Sequence, residues 1–179
     1  SAPSMLCLKC AQVFLNPRMT GEAYAEFYKG MYRSLVRAYT YQARAVPPTQ
    51  AEDAAVTELH QSEYGRRLAK FLKPYVREGA TNLLDVGGSS GVVASTLCDA
   101  FGLTATILEP SGEPVPGGHE VIETSLEAWE PDRKYDVITV CQTVDHLLDP
   151  KRGMAKLRTA LHEHDPPVGS GVTAEWDES

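Results

Sequence analysis

A chain of 179 residues, 42% hydrophobic and 23% charged, can bury one sizeable core. A formal net charge of −7 argues against a phosphate-backbone partner, so no nucleic acid is expected. No apolar run reaches the ~18 residues that a membrane helix needs, and the opening SAPSMLCLKC lacks the charged-then-apolar order of a secretion signal, so the chain reads as cytoplasmic and without a membrane partner.

Residues 1–20 contain CLKCAQVFLNPRMT, the pair Cys7 and Cys10 followed by a short apolar run, which predicts a small appended element. From Gly21 to Tyr41, residues Tyr24, Phe27, Tyr28, Met31, Tyr32 and Leu35 recur at three- and four-residue steps, the pattern of one aromatic-rich amphipathic helix. Pro47 and Pro48 break it. A second helix is expected from about Glu52 to Tyr75, with Val56, Leu59, Leu68, Phe71 and Leu72 as its apolar stripe and Pro74 and Gly79 closing it. Residues 21–80 thus read as a helical cap.

Four strand-like runs follow: NLLDV at 82–86, TATILE at 104–109, HEVIET at 119–124 and YDVITVC at 135–141. The first two are joined by the helical stretch GVVASTLCDAF, with Val92, Val93, Thr96, Leu97 and Ala100 inward. PKRGMAKLRTALHEH forms a last helix, with Met154, Leu157 and Leu161 at helical spacing and Pro150 in its first turn. Strands with apolar interiors alternating with helices predict a doubly wound, mostly parallel α/β core over 81–163. Cys98 and Cys141 fall inside apolar segments and read as small buried hydrophobes, so no disulfide framework is indicated.

Open α/β sheets take ligands beyond the carboxyl ends of their strands, and the turn DVGGSSG stands there. Glycines let the backbone approach a ligand, and the start of a helix at Gly91 offers free N–H groups to an anion. A triphosphate loop needs Lys and then Ser or Thr after its last glycine, but Gly91 is followed by Val92 and Val93. A dinucleotide fingerprint is matched by Gly88 and Gly91 only in its last two glycines, and Asp85 would repel a pyrophosphate while favouring an ammonium group. Glu109, at the end of the next strand, can accept hydrogen bonds from both hydroxyls of a ribose. An acid and small-residue turn for an amino-acid moiety, with a ribose acid one strand later, describes S-adenosylmethionine.

LLDVGGSSGVVASTL, ATILEPS and KYDVITVCQTVDHLLDP resemble the first, second and fourth motifs of class I S-adenosylmethionine-dependent methyltransferases. CLKCAQVFLNPRMTGEAYAEFYKGMYR resembles the subgroup with an N-terminal zinc-binding segment, whose members include sugar C-methyltransferases, and the likeness spans about residues 7–162. The resemblance implies a Rossmann-like sheet. It implies that Asp85, Gly87, Gly88, Ser89 and Gly91 hold the methionine end of the cofactor and Glu109 the ribose, with Pro110 bordering the adenine. Ser125 and Leu126 would lie near the adenine edge, and Cys141 and Gln142 would face the donor methyl and the acceptor. His146 matches the His of the family's EH pair, with Asp145 in place of Glu. Tyr28 and Tyr32 of the aromatic helix would line the pocket of a small-molecule acceptor.

Four departures accompany the resemblance. Ser89 replaces the middle glycine of the usual turn. PSGEPVPGGH between Glu109 and the third strand is too short and too rich in Pro and Gly for the usual helix. Cys7 and Cys10 are half of a four-ligand zinc site, so no metal is expected. The tail 164–179 has no strand-length apolar run and is expected to be disordered. The sheet would then be ordered 3-2-1-4 with its C-terminal strands missing, the mark of a chain shortened at both ends. Its fourth strand would be an open edge suited to a homodimer. Two readings stay open here: an active methyltransferase, and a truncated non-catalytic module that binds S-adenosylmethionine or another protein.

Overall fold

The computed structural model describes residues 4–9, 11, 13–15, 17, 19–42, 48–112 and 114–163. Cys10 and the tail 164–179 lie outside the described residues. The order of elements is β1 (Ser4–Leu6), β2 (Val13–Leu15), α1 (Gly21–Gly30), α2 (Tyr32–Tyr41), α3 (Gln50–Leu72), β3 (Asn82–Val86), α4 (Val92–Phe101), β4 (Thr104–Leu108), β5 (Glu120–Ile122), β6 (Val137–Thr139) and α5 (Pro150–Ala160).

The small element at the start is an antiparallel pair, with Met5 opposite Phe14 across the connection that carries Cys7. The single aromatic helix expected over 21–41 is instead two. Gly30, a poor helix former, precedes Met31, whose φ of −117° leaves the helical line between α1 and α2. An apolar period that continues across the break hides it from sequence. Arg37 and Tyr41 of α2 both reach Asp53 of α3, which ties the two helices together. A capping box starts α3: Thr49 accepts from the Glu52 N–H, and Glu52 accepts from the Thr49 N–H at 2.7 Å. These hydrogen bonds hold the Glu52 carboxyl below its usual range.

Only the later turns of α3 reach the core, where Leu68, Ala69 and Leu72 pack against the cluster around α4. Val56, Leu59 and Phe71, expected in its buried stripe, are exposed. The two helices approach closely because residue 65 has no side chain: a Cβ there would stand 2.9 Å from the Thr96 Cβ.

The four main strands lie in the order β5-β4-β3-β6 and pair parallel throughout, which is the expected 3-2-1-4 arrangement. Both faces of the sheet are covered, so the strands are apolar runs rather than alternations. Leu83, Ala105, Ile107 and Val137 face α4 and α3. Leu84, Val86 and Leu108 pack on the other side with Leu126, Trp129, Tyr135, Leu147 and Leu157. Among the described residues the outer edge of β6 carries one parallel bridge, Tyr135 to Leu161, made by the chain as it returns from α5.

The loop between β4 and β5 contains no helix among its described residues, as its Pro and Gly content implied. It lies along α4 instead. Val115 joins the α4 cluster, and His119 Nε2 meets Ser95 Oγ at 2.7 Å. A groove of about 580 Å³ is left beside it, lined by Ser95, Asp99, Thr104, Gly117, His119 and Arg133. This groove opens near the amino ends of β3 and β4, the opposite end of the sheet from the turn after β3.

Candidate functional site

Beyond the carboxyl end of β3 the chain turns through Gly87 to Gly91 and enters α4. Gly87, Ser89 and Gly91 are all left-handed, with φ of 72°, 48° and 74°. Ser89, expected to stand in for a glycine, therefore adopts a conformation that glycine reaches without strain. The Gly87 N–H still donates to the Leu108 carbonyl at 2.8 Å, so the turn begins anchored on the neighbouring strand.

Alternation along β3 points Asp85 toward the α3 and α4 face, where it is 1% exposed. Thr139, its register partner on β6, donates to Asp85 Oδ1 at 2.7 Å. Burial pushes the Asp85 carboxyl up to about 6, against the Thr139 hydrogen bond and with a further push from the Glu109 carboxylate. The second oxygen lies beneath Gly88, where a Cβ would come within 2.7 Å of Oδ2. A buried carboxylate held by one hydroxyl gains strongly from a cation.

Glu109 follows β4 and turns back to the same loop. It accepts from the Ser89 N–H at 2.8 Å and from the Ser111 N–H at 3.0 Å. A carboxylate offers about four lone-pair positions, so two remain for the hydroxyls of a ligand. Pro110 beside it is exposed.

On the far side of the turn, Cys141 and Gln142 follow β6. Burial first, and then the nearby Asp85 carboxylate, push the Cys141 thiol up to about 11. Burial, and then the nearby Cys141, push the Tyr64 phenol of α3 up to about 12. Gln142 is left-handed at φ 53° and exposed. Thr143 Oγ1 donates to the Cys141 carbonyl at 3.0 Å. One turn before Tyr64, Gln61 Oε1 accepts from the Ser90 hydroxyl at 2.6 Å.

The remaining expected residues stand further out. Ser125 caps a turn, its hydroxyl accepting from the Ala128 N–H at 3.4 Å. The Leu126 side chain is 3% exposed in the core against α5, which leaves only its backbone to border a ligand. His146 ends a short 3-10 turn, Val144–His146, with Nε2 at 3.4 Å from Asp145 Oδ2. Tyr32 is half-exposed and packs edge-to-face on Phe27 at 5.9 Å. The side chain of Tyr28 lies outside the described residues.

Gln61, Tyr64, Thr139 and Thr143 were not singled out from sequence. The stretch HQSEYGRR interrupts the apolar stripe of α3, and that polar interruption was the available signal for the first two. Thr139 sits at a buried position of β6 where an apolar residue is the default, so its hydroxyl needs a partner.

Asp85 and Glu109 thus flank one turn, the free N–H groups at the start of α4 lie between elements that carry both acids, and α3 closes the side. An α-amino acid joined to a ribose presents the matching groups: an ammonium for Asp85 and a diol for Glu109. Among the described residues no group of three or more His, Cys, Asp or Glu side chains is arranged to hold a metal ion, and no helix is long and apolar enough to cross a membrane.

No curated protein sequence matches the chain. Among solved structures, the plantazolicin methyltransferase BpumL in complex with SAH is similar at TM-score 0.55 and 14% identity, over 78% of this chain and 53% of that one. SAM-bound CalS10, an amino pentose methyltransferase from Micromonospora echinaspora, is similar at TM-score 0.51 and 20% identity, over 64% of this chain and 53% of that one. At these identities the likeness is one of fold, and the chain spans about half the length of the solved methyltransferases it matches. The family described as a methyltransferase domain matches residues 57–165, from the middle of α3 past the end of α5. That match takes in the turn, both acids and the end of β6, and the chain belongs to the methyltransferase domain family.

Proposed function

We propose that the chain binds S-adenosylmethionine at the turn after β3 and passes its methyl group to a small-molecule acceptor, with a sugar as one candidate class. The observation that carries this reading is the pairing of a buried Asp85 with a Glu109 hydrogen-bonded to the same glycine turn. BpumL and CalS10, solved with SAH and SAM, share the fold and support it. On this reading residues 81–163 are the cofactor-binding core, residues 21–80 a helical cap and residues 1–20 an appended hairpin.

The residues present fit the cofactor. Asp85 would hold its ammonium group, Glu109 its ribose and the 87–91 turn its methionine chain, with Pro110, Ser125 and the Leu126 backbone toward the adenine. When bound, the cofactor supplies a sulfonium-activated methyl group. The chain's own residues then position rather than react: they fix the donor, exclude water and align an acceptor along the displacement line. Cys141 and Gln142 would border the space between donor and acceptor, and Tyr28 and Tyr32 of α1 and α2 would line the acceptor's side. His146 is the side chain offered for proton removal where the acceptor atom is carbon.

Calorimetric titration with S-adenosylhomocysteine tests this reading, with NAD as the contrasting ligand. The expected result is one site for the first and none for the second. Glu109→Ala should weaken binding by roughly 1.5–3 kcal/mol, the size of hydrogen bonds to a charged group. Unchanged affinity removes Glu109 from the site. Binding without methyl transfer to any of a panel of acceptors would favour a non-catalytic module.

A further inference from the structure

The groove beside the β4–β5 loop lies at the amino ends of β3 and β4, away from the turn after β3, and the methyl-transfer reading makes no use of it. Its volume of about 580 Å³ suits a small molecule, since such sites run from roughly 300 to 1,000 Å³. Ser95 Oγ and His119 Nε2, both in its lining, meet at 2.7 Å. Residue 117 leaves that pair uncovered. A Cβ there would stand 2.8 Å from Nε2 and 3.0 Å from Oγ, and one on Gly118 would meet nothing within 4 Å. Asp99 lies exposed one turn after Ser95 on α4, and buried Leu103 and Ala105 supply the apolar part of the lining. Tyr135 lines the groove too, and its hydroxyl is the buried side-chain polar atom that lacks a partner among the described residues.

Charge narrows the class of ligand. Arg133, the guanidinium of the groove, is already engaged: it donates to both Glu120 oxygens, at 2.9 and 3.0 Å, and to Asp132 at 3.2 Å. Asp99 adds a further negative charge, so an anion meets repulsion here. A hydroxyl both donates and accepts, and adjacent hydroxyls therefore match an acceptor-only carboxylate, a Ser–His pair and a phenol together. We propose that this groove is a second binding site, separate from the turn after β3, for a small polyhydroxylated molecule without negative charge: a neutral or amino sugar of one or two rings. Its polar edge would meet Asp99 and the Ser95–His119 pair, and its C–H face would lie on Leu103 and Ala105. The proposal does not depend on what the turn after β3 binds.

Saturation-transfer NMR on the full chain tests it with a panel of neutral mono- and disaccharides, glucosamine, glucuronate and glucose 6-phosphate. At least one neutral or amino sugar should receive saturation, and the two anionic sugars should receive none. Gly117→Val, which covers the Ser–His pair, should weaken the bound sugar at least fivefold. Asp99→Ala, at an exposed helical position, should do the same and keeps the test decisive should the first variant not fold. Affinity for S-adenosylhomocysteine should be the same in both variants as in the wild type. No binding by any member of the panel, a preference for the anionic sugars, or a sugar held equally well by both folded variants overturns the proposal, the last by placing that sugar elsewhere on the protein.

Discussion

Asp85→Asn makes the fold more stable at pH 8 while abolishing measurable binding of S-adenosylhomocysteine. The carboxyl sits at about 6 in the folded chain against an ordinary value near 4, and burial is the main cause. A raised acid reverses the usual carboxylate behaviour. Below its unfolded value it is protonated in both states and costs nothing. As the pH rises from about 4 through 6 the unfolded chain ionises first, so the folded state loses stability relative to it, and the full penalty holds above 6. A shift of this size corresponds to roughly 2–3 kcal/mol. Asparagine keeps an oxygen for the Thr139 hydroxyl and carries no charge, so the variant should regain about that amount at pH 8 and almost none at pH 4. Denaturant titrations of both proteins at the two values check this. A variant equally destabilised at both would mean that the Asp85 carboxyl is not raised in the folded chain.

The same carboxyl sets the sign of the pH dependence of binding in the wild type. A cationic ligand prefers ionised Asp85, so affinity for S-adenosylhomocysteine should fall as the pH drops below about 6. The penalty in the unliganded protein is thus coupled to function, a carboxylate kept short of partners so that a ligand can supply one.

Gly87→Ala should cost roughly 2–4 kcal/mol, from left-handed strain together with steric conflict. Gly87 sits at φ 72°, and a Cβ there would collide with Thr143, reaching its Cγ2 at 2.9 Å as well as its hydroxyl. Thr143 is branched at Cβ, and turning it away breaks its bond to the Cys141 carbonyl. Gly79→Ala is the matched control, since Gly79 has φ 78° and nothing within 4 Å of the added carbon. That variant should show the strain alone, roughly 1–2 kcal/mol. The difference between the two measures the collision. Equal losses would show that Thr143 gives way freely and does not brace the turn.

The parallel core was legible because the physics behind it is written into short segments. NLLDV and TATIL are buried on both faces, so their apolar runs announced inner strands, while the strand order came only with the family resemblance. DVGGSSG was legible because left-handed turns and a helix start demand small residues. The acids stood out because a carboxylate at the end of a buried strand has no structural need. What sequence hid depends on tertiary contact. Tyr64 and Gln61 matter only because Gly65 lets α3 approach α4, and nothing local to α3 reports that crossing. The break at Met31 leaves the apolar period intact. The exposure of Val56, Leu59 and Phe71 shows that helical spacing marks a face without stating how much of its length is covered.

The central claim is a location, the crevice beyond β3 and β4 rather than the groove at the other end of the sheet. A crystal structure of the protein with S-adenosylhomocysteine tests it most directly. The account predicts the ligand's amine beside Asp85 and its ribose hydroxyls on Glu109, with Ser89 and Gly91 against the methionine chain. Ligand density in the groove lined by Ser95, His119 and Arg133, with the turn after β3 left bare, would contradict it.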